Sequence, residues 1–204
     1  MIVCSVLALI LQASSAGDYF PLKPGTVYTY EQKGKDVQMS KIVGTPLDMG
    51  GVAVTPVTDR QIGGGGTTTY YRIDPDQVLI VAYDIKHPLP TPMPLFKLGT
   101  GKLTWDFAGS TKTGVEGERL LARGDVHPIG KREVLGKKVD AIEVRIQAQV
   151  GIGMSAEIFD QKAIYAKGFG LVEWTSKMTL GNNRKKADQS AYKLVDMQEA
   201  KAGG

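Results

Sequence analysis

Two pairs of carboxylates have the spacing that best suits acid–base chemistry in this chain. Asp74 and Asp76 flank a proline in the phrase IDPDQ, and Glu116 and Glu118 share one face of an expected strand. Acid–base catalysis needs carboxyl groups whose surroundings push their pKa values apart. Asp-Pro-Asp is first of all typical of a turn. We therefore interpret the aspartate pair as a turn, and neither pair lies in a segment that indicates a pocket.

The histidines and Ser155 lack the residue spacing that a zinc site or a hydrolase nucleophile requires. His87 and His127 each precede a proline and have no second ligand at zinc-binding spacing, so we interpret them as loop residues. Ser155 has Gly153 two residues before it but Glu157 two residues after it, so it lacks the nucleophile elbow of a hydrolase. We predict no catalytic residue, no metal, no cofactor and no enzymatic activity.

The N-terminal segment MIVCSVLALILQASSA is typical of an export signal. An apolar run from Ile2 to Leu11 precedes small residues, and Ser14 and Ala16 suit a signal-peptidase site. No basic residue precedes the run, so either the signal begins further upstream or it is weak. The alternative is a buried first strand or helix. We expect a signal peptide over 1–16 and a mature chain over 17–204 that is periplasmic or secreted in a bacterium.

Cysteine usage and charge exclude several classes of protein. Cys4, the single cysteine, lies in the expected signal, so the mature chain has no thiol for a disulfide, a nucleophile or a metal site. The apolar run is too short to span a bilayer, so we expect no transmembrane anchor. The net charge of +4 is thinly spread. Its one dense basic run, 184–186, lacks interleaved aromatic residues, which argues against nucleic acid as a partner.

Hydrophobicity along the chain alternates with a period of two. In KLTWDF, Leu103, Trp105 and Phe107 share one face, and in AIEVRIQAQV apolar residues alternate with charged and amide residues. Further strand patterns cover 27–32, 37–43, 52–57, 67–73, 78–83, 116–122, 158–165, 171–178 and 191–197. Only the last dozen residues suit a helix. The pattern predicts one all-β domain, an antiparallel curved sheet or an open or closed barrel.

One phrase occurs twice, as PLKPGTVYTY at 21–30 and as PLFKLGTGKLTWDF at 94–107. Proline cannot donate to a ladder and glycine permits a tight bend, so the phrase predicts a corner that enters a strand. The two corners divide the domain into two similar meanders, 17–87 and 94–198. The segment 87–94 between them carries a proline at every second position and is predicted to be an extended connector, not a central strand. The alternative is a docking peptide.

The phrases DYFPLKPGTVYTY and IYAKGFGLVEW resemble a group of uncharacterised exported bacterial β-proteins and lipoproteins. Members of that group open with Tyr-Phe-Pro-Leu-x-x-Gly-x-x-Trp-x-Tyr and close with Tyr-Ala-x-Gly-Val-Gly-Leu-Val. Here Tyr28 replaces the tryptophan and Phe169 the valine. The resemblance covers most of the mature chain. It implies an architecture similar to the open half-barrels of lipoprotein carriers, but the motifs are structural corners and imply no activity.

Two functions of different classes fit these patterns. The first is a non-enzymatic binding or carrier module whose apolar sheet face accepts a small molecule such as an acyl chain. The residues of that face are Tyr28, Tyr30, Leu103, Trp105, Phe107, Ile142, Val144 and Ile146. The simpler interpretation of the same residues is core packing.

The second function is a structural or assembly partner of an envelope protein, acting through a sheet edge or the proline segment. A third hypothesis, a hydrolase of envelope polymers, requires carboxylates that converge in a cleft. A cavity larger than its side chains favours the first function, whereas a filled interior with an exposed apolar patch favours the second. The sequence specifies neither the ligand nor the oligomeric state.

Overall fold

The computed structural model describes residues 14–61, 64–99, 103–111, 117–152, 156–180 and 187–200. Most of the expected signal peptide lies outside these ranges, as do Glu116, Ser155 and the basic run 184–186. The described residues form thirteen strands and one four-residue helix, α1 (Ala16–Tyr19). Within these ranges, no helix has the length and apolar character needed to cross a membrane.

The strands follow one another along the chain with short connections. They are β1 Val27–Gln32, β2 Gln38–Val43, β3 Leu47–Asp48, β4 Ala53–Gln61, β5 Gly66–Ile73, β6 Gln77–Ala82, β7 Pro88–Lys97, β8 Leu103–Ser110, β9 Arg119–Val134, β10 Lys137–Val150, β11 Glu157–Ala166, β12 Gly170–Leu180 and β13 Ala187–Gln198. The predicted all-β fold is confirmed.

The antiparallel sheet consists of two meanders. β1, β2, β4, β5, β6 and β7 pair in that order, β8 to β13 pair in sequence order, and β3 pairs only with β4. The pairing of β1 with β13 joins the two meanders. The two ends of the sheet, β7 and β8, lie side by side, so the sheet curves into a nearly closed barrel. The sheet therefore has two meanders, but the first extends to Lys97 and the second begins with β8 at Leu103, whereas the prediction placed 94–97 in the second. Among the described residues no ladder joins β7 to β8.

The first copy of the repeated phrase forms the corner that enters β1, whereas the second copy begins within β7 and ends in β8. In the first copy Gly25 has a φ of 79°, and its N–H donates to the Val43 carbonyl oxygen over 2.8 Å just before β1 begins. A side chain here is strained, and a Cβ on Gly25 would lie 2.7 Å from the Cβ of Ala200. In the second copy Gly99 precedes β8, with residues 100–102 outside the described ranges.

Small residues face the large rings of β8. Trp105 pairs with Gly124 of β9, and Phe107 pairs with Ala122. A Cβ on Gly124 would lie 2.4 Å from two ring carbons of Trp105, so the indole lies directly on the glycine. On the other side of β9, Ile146 pairs with the same glycine. This alternation of large and small residues allows close packing inside the barrel.

The segment 14–22 closes the end of the barrel that carries the β5–β6 and β11–β12 turns. The Ala16 N–H donates to the Pro75 carbonyl oxygen over 2.9 Å, and the Gly168 N–H donates to the Asp18 carbonyl oxygen over 2.7 Å. Ala16, the last residue of the expected signal, is fully buried. The segment is therefore bonded to a turn of each meander.

Phe20 follows α1 and lies among three other aromatic rings. Its ring centroid is 5.0 Å from that of Tyr71, 5.9 Å from that of Tyr165 and 6.4 Å from that of Phe96. The centroids of Phe96 and Tyr165 are 5.0 Å apart. Tyr71 and Phe96 belong to the first meander and Tyr165 to the second. These four residues, the ring cluster, therefore connect the two halves of the sheet.

Several local predictions differ from the structure. The proline segment 87–94, expected to be only a connector, contributes most of β7, which is an edge strand paired with β6. The C-terminal residues, expected to suit a helix, belong to β13 up to Gln198. β9 and β10 have 16 and 14 residues, and β9 extends far beyond the pattern at 116–122. His127, expected in a loop, lies in β9.

We expect Trp105→Ala to lower the free energy of unfolding by about 3–5 kcal/mol, because the change empties space that a buried indole fills. Gly124→Ala should cost about 1–3 kcal/mol, because the new methyl group overlaps the indole. In the double variant the methyl group meets no ring. Urea unfolding of the four proteins should therefore show a coupling of at least about 1 kcal/mol.

Gly65→Ala is the matched control, since a Cβ on Gly65 meets nothing within 4 Å. Its effect should add to that of Trp105→Ala without coupling. Additive costs for Trp105 and Gly124 would contradict the contact between them, and an unchanged unfolding midpoint for Trp105→Ala would contradict its place in the core.

Candidate functional site

The residues predicted to form an apolar binding face lie inside the barrel in two groups. The first group is Trp105, Phe107, Ile142, Val144 and Ile146, and the second is Tyr28 and Tyr30. All seven are between 1% and 8% exposed, whereas Leu103 is only half-buried. Because the same burial suits a packed core, their role in binding stays a prediction.

Strands β6 and β7 supply the facing side of the first group. Five of their buried residues form one cluster with the residues of β8 and β10: Val78, Ile80, Leu89, Met93 and Phe96. We call this cluster the apolar wall. It extends across the boundary between β7 and β8, the two strands at the ends of the sheet.

A cavity of about 50 Å³ remains beside the ring cluster, and Lys41 is among the residues that line it. The Lys41 ammonium lies 2.7 and 2.6 Å from the two carboxylate oxygens of Asp59. It also lies 5.3 Å from the ring centroid of Trp174. The carboxylate and the aromatic face together compensate the partial desolvation of the ammonium group.

Burial raises the pKa of the tyrosines around this cavity. Burial, and to a smaller extent Glu199, raises the pKa of Tyr28 to about 12. Burial is also the largest cause of the raised pKa values of Tyr30, Tyr71 and Tyr165. The Tyr28 hydroxyl donates to the Pro21 carbonyl oxygen over 3.0 Å. At physiological pH these phenols are therefore neutral hydrogen-bonding groups and not bases.

One carboxylate is buried on the outer face of the barrel. Glu143 of β10 is 6% exposed, and its carboxylate lies 2.6 Å from Arg145 Nη2 and 2.6 Å from Lys162 Nζ. Burial alone would raise the pKa of Glu143, but the hydrogen bonds and charges of Lys162 and Arg145 outweigh burial and lower it. Glu143 is therefore ionised and has a structural role in two ion pairs, which does not suit a general acid.

Three of the other candidate groups have side-chain partners. Asp74 lies between β5 and β6, which confirms that it belongs to a turn. Its carboxylate accepts hydrogen bonds from Arg72 and Gln77, each over 3.1 Å. His87 Nδ1 lies 2.9 Å, and His127 Nε2 2.6 Å, from an oxygen of a nearby aspartate. Among the described residues no group of three or more His, Cys, Asp or Glu is placed to hold a metal ion.

A groove of about 940 Å³ lies on the outer face, between the β1–β2 hairpin and strands β11 to β13. Lys33 and Lys35 of the hairpin line one side. Across its floor Lys193 pairs with Glu31 on one neighbouring strand and with Glu173 on the other. Opposite charges across strands stabilise this face and leave little net charge on the floor for an ionic ligand.

The polar pair inside the barrel was missed at the sequence level. Alternation along 37–43 places Lys41 on the same face as the buried residues Met39 and Val43, so the pattern did indicate an inward lysine. Its partner Asp59 follows from the register of β2 and β4, which pairs these two residues directly. That register is not readable from either strand alone.

Comparisons with known proteins identify no family for the chain. No protein family and no curated protein matches it. Two solved structures are similar: a candidate lipoprotein of Parabacteroides distasonis, 13% identical with a TM-score of 0.40, and a candidate exported protein with a YmcC-like fold from Bacteroides fragilis, 12% identical with a TM-score of 0.44. Each comparison covers 88% of this chain and 98% of the other. Export of this chain and its motif resemblance stay predictions.

We expect Glu143→Gln to lower the free energy of unfolding by about 1–2 kcal/mol at pH 7, because an amide accepts weaker hydrogen bonds from the two cations. The pKa of Glu143 is lowered in the folded state, so its ionised form stabilises the fold above the ordinary value of 4.5. That contribution is lost as the pH falls through the lowered folded pKa. The difference between the two proteins should therefore shrink between pH 5 and pH 3 in urea unfolding.

Glu133→Gln is the matched control, because Glu133 is an exposed residue of the neighbouring strand. It should change stability by less than about 0.5 kcal/mol at both pH values. A cost for Glu143→Gln that is equal at pH 7 and pH 3 would show that shape, and not charge, determines the effect.

Proposed function

We propose that this protein is a non-enzymatic, exported module that binds an apolar small molecule, such as an acyl chain, inside its barrel. The observation that carries the proposal is the apolar wall, which crosses the boundary between β7 and β8. Within the described residues no ladder joins these two strands, so side-chain packing alone closes the wall there. An apolar interior bounded by such a junction suits a ligand-binding barrel.

The ligand occupies space that side chains fill in this structure. The cavity beside the ring cluster has about 50 Å³, whereas pockets for small molecules have roughly 300 Å³ or more. Binding therefore requires that core side chains repack. Met93 in the apolar wall and Met39 in the second cluster are flexible thioethers that repack at low cost.

Dibromostearic acid tests this proposal, because bromine quenches tryptophan emission only at close range. The chain has two tryptophans, Trp105 in the apolar wall and Trp174 outside it. In Trp174→Phe, which leaves Trp105 as the emitter, we expect saturable quenching by added dibromostearic acid. In the matched variant Trp105→Phe the remaining emission should be quenched less. Unquenched emission from both variants, each folded by circular dichroism, would rule the proposal out.

Native mass spectrometry gives an independent readout on protein purified from a bacterial envelope fraction. An apolar molecule that is released on denaturation and is absent from a control protein would support the proposal. A clean unliganded mass, in a protein that unfolds cooperatively, would contradict it.

A second candidate function is assembly with an envelope protein. The filled interior and the outer groove of about 940 Å³ favour it, since the groove offers a surface outside the core. A clean unliganded mass, together with a crosslinked protein partner that is lost on Lys33→Glu and Lys35→Glu, would support this function. The third hypothesis, a hydrolase, is not favoured, because Asp74 and Glu143 are engaged in a turn and in ion pairs.

A further inference from the structure

The two junctions between the meanders are equivalent in position but differ in bonding. Each brings the first strand of one meander beside the last strand of the other: β1 beside β13, and β8 beside β7. β1 and β13 pair from Val27↔Gln198 to Gln32↔Tyr192. No ladder joins the described residues 88–97 of β7 to 103–110 of β8. Within the described residues, a ladder therefore joins the two meanders at one junction and none joins them at the other.

Prolines on β7 explain this difference. β7 contains Pro88, Pro90, Pro92 and Pro94, and β13 contains no proline. In the ladder with β6, Pro94 pairs with Leu79 and Pro88 pairs with Ala82. A proline has no N–H, so both must be the pairs in which backbone groups point away from the partner strand. The nitrogens of Pro88 and Pro94 therefore point away from β6, toward the side of β7 on which β8 lies, where a ladder would need N–H donors.

β7 is also held weakly on its other side. Its ladder with β6 contains five paired positions over a strand of 10 residues, with register shifts at two points. β8, by contrast, pairs with β9 at eight consecutive positions from Leu103 to Ser110. β7 is thus the strand that can move with the smaller loss of backbone hydrogen bonds.

We propose that the apolar ligand enters and leaves the barrel between β7 and β8, and that β7 is the strand that moves. This inference rests on the proposed function. Behind the boundary lie Leu89, Met93 and Phe96 of β7 and Trp105 and Phe107 of β8. Around the rest of the described sheet a ladder joins each pair of neighbouring strands, so an opening elsewhere breaks backbone hydrogen bonds.

The prolines have a second consequence at this edge. A strand with free N–H groups pairs readily with the edge of another chain, and prolines prevent such pairing. When β7 moves away from β8, its exposed edge lacks the donors of Pro88 and Pro94. The same residues therefore keep the boundary unbonded and protect it while it is open.

The double variant Pro88→Thr/Pro94→Val tests the route, because it restores two donors that face β8. In the Trp174→Phe background, stopped-flow quenching by dibromostearic acid should give entry and release rates about 10-fold slower or more, since two new hydrogen bonds hold β7 against β8. Hydrogen exchange should show protected amides at positions 88 and 94. Pro88→Thr alone should slow the rates less and is the fallback if the double variant fails to unfold cooperatively.

Pro46→Val is the matched control, because Pro46 is an exposed loop residue outside the sheet. Its rates should equal those of the parent. Unchanged rates in a variant with protected amides at 88 and 94 would overturn the route, and unprotected amides there would overturn the role of the prolines. If the parent itself shows no quenching, the proposed function fails, which is a separate result.

Discussion

An apolar sheet face must be covered, and a single twisted sheet covers its own face by curving until its ends meet. In this chain the ring cluster of Phe20, Tyr71, Phe96 and Tyr165 connects the two halves of the curved sheet, with contacting centroids 5.0 to 6.4 Å apart. Phe20 is positioned by neighbours that belong to the expected mature chain: the Gly168 N–H donates to the Asp18 carbonyl oxygen, and the Tyr28 hydroxyl donates to the Pro21 carbonyl oxygen. The two meanders are therefore held together by the β1–β13 ladder on one side and by aromatic packing between them.

Because these two connections already hold the meanders, the junction of β7 and β8 does not need a ladder for closure. An unbonded edge exposes backbone groups, which is normally a risk of aggregation. Pro88 and Pro94 reduce that risk by removing donors, and apolar side chains on both strands cover the boundary from inside. The resulting barrel is closed by side chains along one line and by hydrogen bonds along every other line of the described sheet.

Local alternation predicted the strands whose burial pattern is continuous, and tertiary pairing determined the rest. The pattern at 27–32 coincides with β1, and the inner faces of β8 and β10 were correctly grouped, because period-two burial is readable in consecutive residues. β7 was missed, since prolines that exclude a central strand are compatible with an edge strand. β9 was predicted too short, because Gly124 interrupts its pattern first, and Pro128 and Gly130 interrupt it again at a register shift against β10.

The predicted binding face shows why function is harder to read from sequence than fold. Trp105, Phe107 and Ile146 satisfy a core and a ligand-binding wall equally well, because both need buried apolar side chains that alternate along strands. What separates the two roles is whether the sheet can open beside them. That depends on backbone hydrogen bonding between β7 and β8, a property of strand order and of the direction in which two proline nitrogens point. Under the proposed function, these residues are a core while β7 remains against β8 and a ligand-facing wall when it moves.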